Sequence, residues 1–144
     1  MNETKVFVDT NILVYAHDSS ENEKHTKAQQ IFKECYEGNR QLAFSTQTLS
    51  EFFAVITRKI KKPVSTANAQ IIISTILNFN GMTTTVIQPD TILAATQTHK
   101  TTGVHYWDCL IAETAKANGI HNILTENTKD FKKISGIKAK NPFK

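Results

Sequence analysis

The chain alternates between short apolar runs and longer amphipathic stretches from its first residues to its last. Residues 6–8 form an unbroken apolar run that stops on a carboxylate, and a second apolar run, residues 12–14, follows a small polar pair. This pattern predicts a buried strand that carries Asp9 into a turn before a helix. Asp9 and Asn11 are also favoured capping residues, so capping of that helix is the simpler alternative.

Four further strands are predicted where apolar or β-branched residues form short runs, at residues 42–44, 83–87, 122–125 and 137–140. Between these runs the apolar residues recur at helical spacing, and proline or glycine marks where helices begin or end. The predicted helices cover residues 12–17, 23–37, 46–60, 65–80, 90–100 and 107–118.

Strands that alternate with helices imply right-handed βαβ units. We therefore predict an α/β fold, a three-layer α/β/α sandwich around a central, mostly parallel sheet. With 144 residues the chain fits a single domain, residues 1–144. A hydrophobic fraction of 40% and a charged fraction of 21% are those of an ordinary folded protein, which excludes disordered and fibrous classes.

The charge and cysteine content say little about the partners or the cellular compartment of the protein. Seventeen basic and 13 acidic residues give a net charge of +4, which is compatible with a polyanionic partner but does not require one. Cys35 and Cys109 lie far apart, so neither a disulfide framework nor a thiolate zinc site is indicated. Because no apolar run is long enough to span a bilayer, we expect a cytoplasmic protein without a membrane association.

Acidic residues follow several of the predicted strands. Asp9 ends the first strand, Glu51 lies early in the helix after the second, Asp108 opens a later helix, and residues 125–130 follow the fourth strand. In a parallel sheet these positions converge on one edge. Several carboxylates held together repel one another unless a divalent cation lies between them, and oxygen ligands suit Mg²⁺ or Mn²⁺.

Each acid also has a simpler interpretation. Glu51 could be a solvated helix residue, and Asp108 could simply favour the positive N-terminus of its helix. Asp108, however, is flanked by Tyr106-Trp107 and by the apolar residues 109–112. A carboxylate in such surroundings is costly unless it is paired or metal-bound. The joint pattern therefore favours a shared site.

Four segments in this order, residues 8–13, 50–52, 107–112 and 123–131, resemble the PIN domain. In particular they are similar to the VapC-type toxin ribonucleases of toxin–antitoxin pairs, and the similarity spans nearly the whole chain. The resemblance implies a Mg²⁺- or Mn²⁺-dependent endoribonuclease that hydrolyses RNA. It also implies a homodimer and a cognate antitoxin protein whose segment lies across the active site.

The resemblance assigns roles residue by residue. Asp9, Glu51 and Asp108 match the first three acids of the family and would be the metal ligands and catalytic residues. The chain departs from the family at the fourth acid, where it has Asn127, so that Asp130 becomes the nearest catalytic candidate and the second metal position is in doubt. Glu126 is expected to point elsewhere. Three small polar residues would orient the carboxylates or the attacking water: Thr10, Asn11 and Thr125.

Two basic segments, residues 58–62 and the lysines between 129 and 140, could contact RNA phosphates or could be solvated helix ends. The five histidines show no metal-ligand spacing. Phe52, Phe53 and Trp107 lie at helical spacing among apolar residues, which predicts core positions and not base-stacking platforms.

Two other functions remain as alternatives. The chain could be a PIN-like module that binds RNA or a protein without cutting, because the fourth acid is missing. It could also be a phosphotransferase of the haloacid-dehalogenase type, which begins with a similar strand and aspartate. That chemistry needs a second acid two residues after the first, and position 11 is Asn.

Overall fold

The computed structural model describes residues 4–144 and contains one five-stranded sheet in which every pair of neighbouring strands is parallel. The spatial order of the strands is β3-β2-β1-β4-β5. This confirms the predicted α/β fold. The strands are β1 (Lys5–Val8), β2 (Gln41–Ser45), β3 (Met82–Thr85), β4 (Asn122–Leu124) and β5 (Lys138–Lys140).

Helices connect the strands, and several begin at the capping residues that the sequence indicates. Ser45 caps α3 in a reciprocal capping box with Thr48, and Ser65 caps α4. Within residues 4–144 no helix is both long and apolar enough to cross a membrane. The helices are α1 (Thr10–His17), α2 (Glu23–Tyr36), α3 (Thr46–Ile56), α4 (Thr66–Asn78), α5 (Pro89–Thr102), α6 (Tyr106–Ala117) and the short α7 (Thr128–Phe131), with a 3₁₀ turn at Ser19–Glu21.

Two hydrophobic cores lie on opposite faces of the sheet, because alternate residues of each strand point to opposite sides. On β1, Val8 packs into the core formed with α1, α2, α3 and α4, whereas Phe7 packs into the core formed with α5 and α6. On β2, Leu42 and Phe44 join the first core and Ala43 joins the second. The helices therefore form two layers around the sheet, as the alternating pattern predicts.

Several predicted boundaries are wrong by two to four residues, two of them at the ends of α3 and β3. The helix expected to reach residue 60 ends at Ile56, and Ile60 instead packs against the core from the turn that follows. The strand expected at residues 83–87 is Met82–Thr85. Val86 is already exposed and outside the sheet, and Pro89 begins α5. The β-branched run therefore extends beyond the strand into the turn before α5. Residues 1–3, which the predicted single domain includes, lie outside the described residues.

Candidate active site at the carboxyl edge of the sheet

The central strands β1 and β4 end side by side. Val8 lies opposite Leu124 in the parallel register, so the next residue of each strand, Asp9 or Thr125, leaves the sheet at the same edge. The backbone N–H of Asp9 donates to the carbonyl oxygen of Leu124 at 3.0 Å. The Thr125 hydroxyl donates to Asp9 Oδ2 at 2.7 Å. Asp9 and Thr125, which are 116 positions apart in the sequence, are thereby joined by a hydrogen bond at this edge of the sheet.

Asp9 caps α1 and is also a buried acid. Its Oδ1 accepts from the backbone N–H of Thr10 at 2.8 Å, which is the capping interaction expected as the alternative role. Only 8% of Asp9 is exposed, and burial raises its pKa from 3.8 to about 6. The hydrogen bond from Thr125 opposes this rise, whereas the nearby charges of Asp108 and Glu51 add to it. Asp108 and Glu51 are therefore close enough for their charges to raise the pKa of Asp9.

Glu51 reaches the site from α3. The Thr10 hydroxyl donates to Glu51 Oε1 at 3.0 Å, and Gln47 Nε2 donates to the same oxygen at 3.3 Å. Gln47 Nε2 also lies 3.3 Å from the carbonyl oxygen of Trp107, its second acceptor. Glu51 is thus tied both to the first turn of α1 and, through Gln47, to the first turn of α6.

Asn127 joins the remaining two acids. Its side-chain Nδ2 donates to Asp108 Oδ2 and to Asp130 Oδ2, both at 3.1 Å, and its backbone N–H donates to the Thr125 hydroxyl at 3.0 Å. An amide nitrogen can bridge two carboxylates, whereas an aspartate at this position would repel both. Asn127 therefore links Asp108 and Asp130 to Thr125 and so to Asp9.

Burial is the main reason that the pKa of Asp108 is raised. The charge of Asp130 also raises the pKa of Asp108, while nearby His105 and the hydrogen bond from Asn127 lower it. Asp130 has a second partner in Lys133, whose Nζ lies 3.6 Å from Asp130 Oδ1. The negative charges of Asp108 and Asp130 are therefore partly balanced by His105, Asn127 and Lys133.

The other predicted site residues differ in their surroundings. Asn11 is exposed in the first turn of α1 and makes no side-chain hydrogen bond to the rest of residues 4–144. Glu126 lies one residue after Thr125 but accepts from the Tyr15 hydroxyl and forms an ion pair with Lys24, at 2.6 Å. Its carboxylate is thus engaged away from the other acids, as the sequence suggests.

One sequence interpretation is wrong, and two residues of the site were missed. Trp107, expected in the core, is half exposed, because α6 buries the residues that follow it and leaves its first turn at the surface. His105 lies beside Asp108, although its spacing from the other histidines gives no sign of a site. Gln47 lies four residues before Glu51, and this spacing, which places two side chains on one face of a helix, is the sequence signal that could identify it.

The donor set fits a divalent cation that keeps part of its water shell. No ion pair within the described part of the chain involves Asp9, Glu51 or Asp108, so their negative charge lacks a lysine or arginine partner. Within the same residues no three His, Cys, Asp or Glu side chains are arranged to bind one ion directly. Mg²⁺ typically binds through one or two carboxylates and retains several waters, so it does not require three direct protein ligands.

Solved structures with the same fold include toxin–antitoxin proteins. A toxin–antitoxin complex from Klebsiella pneumoniae is 21% identical, covers 95% of this chain and 97% of its own, and has a TM-score of 0.66. VapBC2 from Rickettsia felis, bound to a DNA fragment from its promoter, is 20% identical with coverages of 96% and 98% and a TM-score of 0.67. VapC20 from Mycobacterium tuberculosis, a toxin that cleaves the sarcin–ricin loop, is 15% identical with coverages of 82% and 86% and a TM-score of 0.62.

Sequence comparison defines the family. No curated protein sequence matches the chain significantly. The sequence profile of the PIN domain, in contrast, matches residues 6–137. This range includes every acid of the site, from Asp9 to Asp130, and ends just before β5. The chain therefore belongs to the PIN domain family.

Proposed function

We propose that the chain is a Mg²⁺- or Mn²⁺-dependent endoribonuclease and the toxin of a type II toxin–antitoxin pair. The observation that carries this proposal is the buried Asp9, which is linked through Thr125 and Asn127 to Asp108 and Asp130 and has no basic partner in the described part of the chain. Among the proteins of similar structure is a toxin described as cleaving the sarcin–ricin loop, which supports RNA as the substrate.

In this proposal Asp9 and Asp108 hold the cation, and Glu51 completes the site. The bound ion would supply Lewis-acid polarisation of the phosphate and a lowered pKa of a water molecule. Thr10 and Gln47 fix Glu51 Oε1, so that the other carboxylate oxygen is available to a water. Glu51 would orient that water and accept its proton.

The reaction is hydrolysis of one phosphodiester bond. The water oxygen forms a new bond to phosphorus, and the bond from phosphorus to the 3′-oxygen breaks. The 3′-oxygen takes up a proton, which leaves a 3′-hydroxyl on one fragment and a 5′-phosphate on the other. Thr125 holds Asp9 in place throughout, and Asn127 holds Asp108.

Asn127 favours one competing function. The amide of Asn127 already donates to both Asp108 and Asp130, so these two carboxylates have a hydrogen-bond partner within the protein. A PIN-like module that binds RNA or a protein without cutting would have this property. The two functions differ in one measurable way, since the module would bind Mn²⁺ or RNA but would leave every RNA intact.

A cleavage assay with matched variants tests the proposal. Purified protein is incubated with single-stranded RNA and Mg²⁺ or Mn²⁺, and Asp9→Asn is compared with Glu126→Gln. Asp9→Asn should abolish cleavage, whereas Glu126→Gln should not, because the carboxylate of Glu126 binds Tyr15 and Lys24 and not the site. Full activity of Asp9→Asn, or metal binding without cleavage of any RNA by the unmodified chain, would contradict the nuclease proposal.

The toxin role requires a cognate antitoxin protein. Several structures with this fold are complexes with antitoxins, which supports such a partner. Expression of the chain should arrest bacterial growth, and co-expression of a small protein encoded next to it should restore growth. Growth arrest by the Asp9→Asn variant as well would contradict a toxin that acts by cleavage.

A homodimer is the assembly that we propose. Three apolar side chains are exposed at this end of the sheet: Val86, just after the edge strand β3, and Ile92 and Leu93, early in α5. A patch of exposed apolar side chains is typical of protein interfaces. Light scattering should give twice the mass of the chain, and Leu93→Glu should give the monomer mass; a monomeric unmodified chain would contradict the proposal.

A further inference from the structure

Trp107 is the only tryptophan of the chain, and it lies at the rim of the acidic site. It is 51% exposed and directly precedes Asp108. The Tyr106 ring packs against its ring edge-on, with 5.3 Å between the centroids, and Gln47 donates to its carbonyl oxygen. A large aromatic ring is therefore held in a defined place at the surface beside the carboxylates.

A pocket of about 440 Å³ lies beside this ring, between α3 and α6. Its volume is in the range of small-molecule sites, which is roughly 300–1,000 Å³. Glu51 forms part of its wall, so the pocket is continuous with the proposed catalytic site. The other lining residues include Gln47, Ser50, Ile87, Trp107 and Leu110.

Gln47 lines this pocket and carries an unpaired polar atom that is itself buried. Only 9% of Gln47 is exposed, and Oε1 has no hydrogen-bond partner within residues 4–144. The amide cannot turn over, because Nε2 donates to Glu51 and to the carbonyl of Trp107 and both are acceptors. A buried acceptor without a donor is unfavourable by about 1–3 kcal/mol. A ligand in the pocket would remove this cost if a small shift of the Gln47 side chain brought Oε1 within reach of a ligand N–H group.

We propose that this pocket takes one base of single-stranded RNA, the base next to the phosphate that is cut. Trp107 stacks on the base, and Gln47 Oε1 accepts a hydrogen bond from a base N–H group. The inference rests on the proposed nuclease function and identifies where its substrate is held. Unpaired bases are commonly recognised in this way, by stacking on aromatic side chains and by hydrogen bonds to their edges.

The composition of the pocket favours a base over an apolar protein segment. A side chain such as leucine would cover Trp107 but would leave Gln47 Oε1 without a donor and would lie against the Glu51 carboxylate. A base offers a flat face to the ring and N–H groups at its edge. Its position beside Glu51 also brings the attached phosphate toward the acids that are proposed to hold the cation.

Trp107 fluorescence provides a direct test, because no other tryptophan contributes to the signal. The full-length Asp9→Asn protein, which should not cleave, is titrated with a short end-labelled oligoribonucleotide in Mg²⁺, and with an abasic oligomer of the same length. Label anisotropy reports binding independently of the tryptophan. We expect the RNA to quench Trp107 fluorescence and the abasic oligomer to leave it unchanged.

Variants then separate stacking from general binding. In the same background Trp107→Leu should weaken RNA binding by about 5- to 100-fold, the range given by loss of one stacked base, and Trp107→Phe should restore most of it. Gln47→Met should weaken RNA binding by about 2- to 10-fold more than it weakens binding of the abasic oligomer, as expected for one hydrogen bond to the base. Tyr36→Leu is the matched control, because Tyr36 is a half-exposed aromatic residue on α2, outside the pocket.

Three results would overturn the inference. The first is RNA binding that is equally tight in Trp107→Leu, or that leaves Trp107 fluorescence unchanged; cleavage of RNA by the unmodified chain would then show that the nuclease function stands without this base site. The second is a fluorescence change caused by a cognate antitoxin but by no RNA, which would make the pocket a protein contact. The third is no RNA binding and no cleavage, which would overturn both proposals together.

Discussion

Asp9 and Glu126 lie at the same edge of the sheet and have opposite surroundings. Asp9 directly follows β1, and Glu126 follows the neighbouring β4 by two residues. Burial raises the pKa of Asp9 to about 6, and its partners are the Thr125 hydroxyl and the Thr10 backbone N–H, with two further acids nearby. Burial alone would also raise the pKa of Glu126, but hydrogen bonds from Lys24 and Tyr15 lower it. The position in the fold is similar, and the partners differ.

This difference separates an acid with a basic partner from an acid without one. Glu126 is neutralised by Lys24, which the chain itself supplies. Within residues 4–144 Asp9 forms no ion pair, and two further carboxylates lie near enough to oppose its ionisation. Burying a charge without a partner is unfavourable, so the arrangement around Asp9 persists at neutral pH at a cost to stability. A divalent cation from solution would remove that cost.

The largest expected effect is on catalysis and compares two acids of the chain. Glu51→Gln should lower the rate of RNA cleavage by about 10²- to 10⁴-fold, the usual contribution of a general base. Glu126→Gln should leave the rate within a factor of two to three, as expected for a residue remote from the reaction. Single-turnover cleavage rates measure both. Equal losses in the two variants would mean that the sheet edge, and not the partners of each acid, determines the role.

The second effect is on stability: the Asp9→Asn variant, which should lose activity, should gain stability. Without metal, Asp9→Asn should be more stable than the unmodified chain at neutral pH, because Asn avoids a buried charge. The rise of the Asp9 pKa from 3.8 to about 6 corresponds to about 3 kcal/mol. Denaturant unfolding in the presence of a chelator measures this difference in the free energy of unfolding.

The pH dependence of that difference follows from its sign. Well below pH 3.8 Asp9 is protonated in both the folded and the unfolded chain, so the two proteins should be almost equally stable. As the pH rises from about 4 to 6, the unfolded chain releases this proton first, and the unmodified protein loses stability relative to Asp9→Asn. A variant that is less stable than the unmodified chain at every pH would show that the Asp9 carboxylate is already well compensated.

A smaller effect is expected where Thr125 holds Asp9. Thr125→Val removes the 2.7 Å hydrogen bond to Asp9 Oδ2 but keeps the shape of the buried side chain. Loss of a residue that orients a metal ligand typically lowers metal affinity or activity by about 10- to 100-fold. Thr125→Ser, which keeps the hydroxyl, should recover most of the Mn²⁺ affinity measured by calorimetry. No difference between the two variants would exclude a positioning role for this hydroxyl.

The smallest effect concerns the acid that is already paired. Glu126→Gln should lower the midpoint of urea unfolding slightly at low salt, because the ion pair with Lys24 is lost. The pair is partly exposed, so about 1 M salt, which reduces the screening length to about 3 Å, should remove the difference. An equally large difference in high salt would indicate packing and not charge as the reason.

Much of the fold could be predicted, because the strands and helices alternate in the sequence as they do in the structure. The parallel arrangement also predicts that Asp9 and residues 125–130 share an edge. The role of Asn127 could not be predicted, since its amide is oriented by Asp108 and Asp130 from two different elements. The residue type at position 127 shows only that the fourth acid of the family is missing, whereas the contacts make Asn127 a bridge between two acids.

The position of Trp107 was wrong for a related reason. Helical periodicity indicates which residues share a face, but it does not say which turn of a helix lies at the surface. Trp107 is in the first turn of α6, where the chain has just left the loop after Gly103, and the buried residues begin at Cys109. Periodicity also does not identify Gln47, because its partner on α6, the carbonyl oxygen of Trp107, is 60 residues away in sequence.

Anomalous diffraction from crystals soaked in Mn²⁺ would test the shared cation site most directly. One peak should lie among the oxygens of Asp9 and Asp108, with Glu51 in contact through water, and it should be absent from crystals of Asp9→Asn. No peak at this edge of the sheet, or a peak that persists in Asp9→Asn, would contradict the claim that these acids hold a catalytic cation.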